Sequence, residues 1–444
     1  MNTIFKEAVS DKRLHVIFAI TLVKMGFFGF RYYPLLDDYI QYGIYPFVQS
    51  PMKDIYLRIG LYSARPLAGL ADIYIWGRFW GQMGVVFFVI TALHAFSAWF
   101  FIKVFEKANF SLGPFFACVY LLCPVGFEGS YWISASSRII TGLFLVSLSF
   151  YYLTQKKPLH FFLLQFAAML LYEQIAVFAF VLSFVFILRL KARRFLAPLI
   201  FNISFLFVYY LIFSRSGSYG FRVLLVPFNP AAAAQVLSIW TAWSLYSKGF
   251  LRGAMIIGLY LIPVFLASLL YSLQKQSGSF CPKQLFVGII LFIAPYVPFF
   301  ILTGTGVSFR ASLIPLVGVA IAADTLFKLI RRGRKTVLFA FCLVFLIIGV
   351  SELNDYRENY LTDSKIIPYV AHRLVPDKTN AVLGAKKTHI DQNAPIEEHI
   401  LSVTSSDWAL TGAVREYLDD KAIPMILINP ENPQNMNLIF LNDF

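Results

Sequence analysis

Two adjacent carboxylates, Asp37 and Asp38, stand in "RYYPLLDDYIQYGIYP" (31–46), immediately after an apolar stretch. More charged and polar side chains mark the borders of later apolar runs. They are Arg65 in "SARPL", Glu128 and Arg138 at the ends of "EGSYWISASSR", Tyr172 and Glu173 in "LYEQ", Arg222 closing "SRSGSYGFR", and Arg310 closing "GTGVSFR". A carboxylate can take a proton from a hydroxyl, and two neighbouring carboxylates repel, raising one pKa toward a useful range. An arginine fork binds two oxygens of a phosphate and can meet charge as it develops on one. The plainer alternatives are a solvated acidic loop for Asp37 and Asp38, and lipid-headgroup or interface anchoring for Arg58, Arg65, Arg78, Arg138 and Arg310. Idle charge buried among aromatics is expensive, which weighs against the first of these.

The elements that must hold these groups are membrane helices. The chain has 444 residues, 58% hydrophobic, 18% aromatic and only 14% charged, too few charges to wet the surface of an ordinary soluble domain. Apolar runs near the length of a bilayer core fall at 14–30, 81–102, 112–126, 138–154, 159–171, 174–190, 195–213, 251–272, 285–302, 311–330 and 336–351. The net charge of +14 is concentrated in six clusters: Lys12/Arg13, Lys103/Lys107, Lys156/Lys157, "KARR" (191–194), Lys275/Lys283 and "RRGRK" (331–335). With eleven spans all six fall on one side, and basic loops are cytoplasmic. The charge therefore argues for a membrane topology and against a nucleic-acid partner. The N-terminus is expected inside, the C-terminus outside, and the first span uncleaved, because no small-x-small site follows it.

The expected fold is an all-α polytopic membrane protein with about 11 transmembrane helices, interfacial helices in the first outer loop (about 31–80), and a small α/β extracytoplasmic C-terminal domain. The transmembrane domain is drawn at 1–351 and the C-terminal domain at 352–444. In the latter, "TNAVLGA", "HILSVT" and "IPMILIN" read as strands and "DWALTGAVREYLDD" as an amphipathic helix, and the whole reads as a lid or docking module. Cys118, Cys123, Cys281 and Cys342 lie in spans or on the inner side, so no disulfide framework is expected. No P-loop, GxGxxG or zinc-type spacing is present. His94 and His160 are assigned no role.

A first span, an acidic pair within a few residues, an outer loop with interfacial helices, ten more spans and a soluble tail together resemble the GT-C superfamily of membrane glycosyltransferases. "LLDDYIQYG" stands where that family's acidic motif would be, and "SARPL" is similar to the Arg-Pro element of bacterial members. The resemblance implies a polyprenyl-phosphate-sugar donor, a cell-envelope glycan, lipid or protein acceptor, contact with membrane lipids, and a bacterial inner (cytoplasmic) membrane location. It implies Asp37 as general base, with Asp38 orienting Asp37 or a divalent metal ion. It leaves Arg65, Glu128, Arg138, Tyr172, Glu173, Arg222 and Arg310 as substrate-binding candidates, with Tyr32, Tyr33 and Tyr131 available to stack on sugar rings. The rival reading is a transporter or flippase, against which stand the lack of repeated halves and the placement of acids at the boundary instead of mid-span. A non-catalytic assembly or polymerase-like protein is a third class, disfavoured because the large outer loop comes early in the chain.

Overall fold

The computed structural model describes residues 2–47, 65–213, 226–257, 279–302, 306–330, 332–390 and 398–441. The protein is mostly helical. Five helical stretches are long and apolar enough to cross a membrane: Pro66–Lys107, Ile133–Thr154, Pro282–Ile301, Phe309–Phe327 and Arg334–Ala371. Shorter helices overlap five more of the expected spans: Lys12–Met25, Pro114–Leu122, Pro158–Met169, Glu173–Arg189 and Leu196–Phe213. The eighth expected span is described only as far as Ile257, where the helix Trp243–Ile257 ends. Residues 48–64 of the first outer loop, where interfacial helices were expected, lie outside the described residues. The part that follows is the short helix Pro66–Tyr74, with Pro66 at its start, where its missing N–H costs nothing.

The bundle interior is built from aromatic rings: Trp99, Trp132, Tyr42, Tyr120, Phe87, Phe101 and Phe105 are almost fully buried. Phe115 stacks on Phe327 with centroids 4.3 Å apart. Where helices Pro282–Ile293 and Leu313–Phe327 cross, the backbones touch. A Cβ on Gly318 would lie 2.3 Å from the Phe292 amide nitrogen, and one on Gly288 2.7 Å from that of Ala322. Small residues allow this approach, as in other membrane helix pairs.

Basic segments far apart in sequence meet at one end of the bundle. Lys103 bridges Glu7 (2.9 Å) and Asp11 (3.0 Å), and Arg13 pairs with Glu106. Arg189 donates to the Ala108 carbonyl, Lys328 to Ser111, and Gln284 bonds both the amide and the carbonyl of Ser111. The helix Ile133–Thr154 runs from Ser134, beside the acidic pair, to Tyr151, whose hydroxyl donates to Glu7 at this basic end. Its 22 residues cover about 33 Å, the thickness of a bilayer core. The acidic pair and the basic clusters are therefore at opposite ends.

The last long helix, Arg334–Ala371, runs unbroken through the boundary drawn at 351 and carries the chain into the C-terminal segment. There a three-stranded parallel sheet forms in the order β2-β1-β3, from β1 (Asn380–Leu383), β2 (Leu427–Ile428) and β3 (Asn437–Phe440). The helix Asp407–Tyr417 packs beside it. "TNAVLGA" and "IPMILIN" hold strands as expected, but "HILSVT" does not. Its Val403–Ser405 is a 3-10 turn because Ser402 Oγ and the Val403 amide both donate to Asp363 of the long helix, which turns the segment away from the sheet. The third strand is Asn437–Phe440 instead. The domain sits directly on the acidic helix Asp37–Gln41: a Cβ on Gly412 would meet Ile40 at 2.4 Å, and Trp80 Nε1 donates to Glu416 at 2.8 Å.

Candidate functional site

Asp37 and Asp38 open the short helix Asp37–Gln41, where free backbone amides favour negative charge. They do different jobs. Asp38 is fully buried and takes three hydrogen bonds: from the Tyr32 hydroxyl (2.6 Å), the Leu35 amide (3.1 Å) and the Ser134 amide (3.2 Å). Burial raises its pKa to about 7 against the pull of these donors, and the neighbouring Asp37 charge adds to the rise. Asp37 is only half-buried and accepts from the Ser134 hydroxyl at 3.3 Å. Ser134 thus joins the two acids, its amide on one and its hydroxyl on the other. Immediately before them Leu36 adopts φ +41°, a backbone unfavourable for a branched side chain, held in place by burial of Leu35 and Leu36. Such strain, on the order of 1–3 kcal/mol, is retained where the surroundings over-determine it.

Arg310 lies over the Trp132 ring at 4.8 Å, pairs with Glu398 at 2.8 Å, and is in electrostatic reach of Asp37, Tyr172 and Glu128. Its amide donates to Glu128 Oε1 (3.3 Å), and the Glu398 amide donates to Glu128 Oε2 (3.0 Å). Glu128 thus ties the second loop, the start of Phe309–Phe327 and the C-terminal segment together. A Cβ on Gly129 would sit 2.6 Å from the Arg310 carbonyl, so the strands of this knot touch backbone to backbone. Partial burial raises Glu398 to about 7, opposed by Arg310 and reinforced by Glu128 and Asp37.

The other arginines hold carboxylates of their own. Arg65 grips Glu173 with both arms of its fork (2.7 and 2.6 Å) and lies over Tyr172 at 4.1 Å. Arg138 is 5% exposed, bonded to Asp72 at 2.6 Å and to Gln41 at 2.9 Å. Tyr42 completes that group by donating to the Ile133 carbonyl and Asp72. Eight of the nine expected site residues therefore gather at one end of the bundle. The ninth, Arg222, lies outside the described residues. Tyr32, Tyr33 and Tyr131 are buried and pack the core beneath the acids. A cleft of about 510 Å³ opens beside Tyr32 and Tyr39, lined also by Arg31, Trp80, Tyr360 and Glu416; neither Asp37 nor Asp38 lines it.

Sequence reasoning missed Asp72, Ser134, Glu352, Asp355, Glu398 and His399. Asp72 is visible in retrospect as a lone acid on the apolar helix Pro66–Tyr74. Glu352 and Asp355 share an i, i+3 face, and were lost to a boundary drawn one residue before them.

No protein-family model, curated protein or solved structure matches the chain. The site must be interpreted from its own chemistry.

Proposed function

We propose that this protein is an integral membrane glycosyltransferase that moves a sugar from a polyprenyl-phosphate donor to a cell-envelope glycan, lipid or protein acceptor on the extracytoplasmic face. The observation that carries this reading is a half-exposed carboxylate, Asp37, held by Ser134 and facing an arginine stacked on Trp132. In the reaction the acceptor hydroxyl gives its proton to Asp37 as its oxygen bonds to the anomeric carbon. The bond from that carbon to the phosphate oxygen breaks, and the polyprenyl phosphate leaves with the charge. Arg310 is placed to meet that charge, which is the group a transferase must stabilise most. Asp38 shapes the loop and fixes Ser134, which in turn aims Asp37. A donor tail in the bilayer would bring its phosphate to the membrane end where these groups stand.

The test is transfer from a synthetic polyprenyl-phosphate sugar in nanodiscs. Asp37→Asn keeps size and most hydrogen bonding, so it should insert normally yet lose roughly 10²–10⁴-fold in turnover. Full turnover by Asp37→Asn with loss in Glu173→Gln would move the base to the third loop. Full turnover in both variants would remove these acids from catalysis and favour transport of lipid-linked substrates.

A further inference from the structure

A second polar cluster adjoins Glu128. Glu352 and Asp355 project from one face of Arg334–Ala371, and His399 comes down from the C-terminal segment between them. The ring's Nε2 is 3.0 Å from Glu352 Oε2 and 3.7 Å from Asp355 Oδ2. All three side chains are buried: His399 is 2% exposed, Glu352 7% and Asp355 1%. Their candidate donor atoms lie within 4.8 Å of one another. Around a tetrahedral ion with bonds near 2.1 Å, neighbouring donors sit about 3.4 Å apart, so the observed spacings bracket the value a metal would impose.

The surroundings match a metal site as well as the donors do. His399 Nδ1 faces Glu128 Oε2 at 3.5 Å, the carboxylate–imidazole arrangement that fixes a ligating histidine's tautomer and raises its basicity. Arg252 pairs with the other oxygen of Asp355, Oδ1. Tyr356 stacks on the His399 ring at 5.1 Å. Its hydroxyl is buried without a hydrogen-bond partner among the described residues, in electrostatic reach of Glu128 and Glu352. A water completing the ion's coordination would give that hydroxyl a partner. Three buried carboxylates converge on one imidazole, with Arg252 paired to Asp355, Arg310 acting on Glu128 and Lys24 acting on Glu352 at longer range.

We propose that Glu352, Asp355 and His399 bind one divalent transition-metal ion, with zinc the best match to one nitrogen and two carboxylate oxygens, and that this ion pins the C-terminal segment to the membrane bundle. The role is structural and does not depend on the sugar-transfer reading.

The experiment uses the full chain, purified in detergent without metal-affinity steps and equilibrated with micromolar zinc before desalting. Elemental analysis should find about one zinc per chain. Chelation should lower the melting temperature and zinc should restore it. Glu352→Gln and His399→Ala should each abolish stoichiometric metal. Glu128→Gln alters the carboxylate behind the ring, which also accepts the Arg310 and Glu398 amides, and should weaken zinc binding by about 10–100-fold. If the variants fail to fold, chelation and re-addition on the wild-type chain still decide the matter. A wild-type chain without stoichiometric metal and with chelator-insensitive melting overturns the proposal, as does metal retained undiminished by both the Glu352 and the His399 variants; His399 would then bridge the carboxylates as an imidazolium.

Discussion

At the residue scale, the two adjacent aspartates separate into a working group and a supporting one, and their environments show why. Asp38 is fully buried and takes three hydrogen bonds, whereas Asp37 is half-buried, takes one and interacts electrostatically with Arg310. A carboxyl whose pKa is raised in the folded state holds its proton there after the unfolded chain has released it. The resulting stabilisation is complete below the ordinary carboxyl range and is lost as pH rises to about 7, the value for both Asp38 and Glu398. Melting temperature in detergent should therefore fall between pH 4 and 7, and Asp38→Asn should flatten that slope; an unchanged slope would remove Asp38 as a source. Arg310 gives a second residue-level expectation. Its fork is shared with Glu398, so Glu398→Gln should free it and lower the KM for donor, while Arg310→Lys should lose turnover at normal expression because an ammonium cannot span two phosphate oxygens. Wild-type kinetics for Arg310→Lys would exclude a two-point phosphate clamp there. Arg138 differs. With Asp72 it forms a buried pair, and removing the arginine alone should cost about 3–5 kcal/mol, read as poor insertion or a lowered melting temperature.

At the element scale, five of the apolar runs coincide with helices long and apolar enough to cross a membrane, because length and hydropathy dominate in a bilayer. Local propensity predicted less where tertiary contacts compete. "HILSVT" alternates like a strand, yet Asp363 captures its polar groups and bends it. "NLIF" at 437–440 pairs with β1 although it follows a proline- and asparagine-rich stretch that gave no strand signal. The acidic pair was legible by its position, but its division of labour was not, since that depends on Ser134, 96 residues away and of unremarkable type, acting with the nearby Tyr32. The backbone contact between Pro282–Ile293 and Leu313–Phe327 makes a sharp expectation. Gly318→Ala places a methyl 2.3 Å from the Phe292 nitrogen, and overpacking of this kind costs about 1–3 kcal/mol or more. Gly81→Ala, with nothing within 4 Å, should be silent. Equal melting temperatures for the two variants would show that the helices can part without loss.

At the scale of the whole molecule, the basic segments meet at one end and the acids and arginines at the other. If the positive-inside rule sets the orientation, Asp377→Cys in a background without native cysteines should react with an impermeant reagent in intact cells. Arg332→Cys should react only after permeabilisation. The reverse pattern would place the Asp37 site on the cytoplasmic side and end the proposal of an extracytoplasmic transferase. The single helix Arg334–Ala371 links these two ends, and it is 38 residues long, about 57 Å. It is in effect a rigid rod standing in a soft sheet. Glu352 is 18 residues above its lower end, a lever arm of about 27 Å. A change in bilayer thickness that tilted the rod by about 5° would swing Glu352 sideways by about 2 Å, comparable to the gap between bonded and unbonded contact with His399. The lipid composition around the protein would then be felt at the junction that seats the C-terminal domain over Asp37.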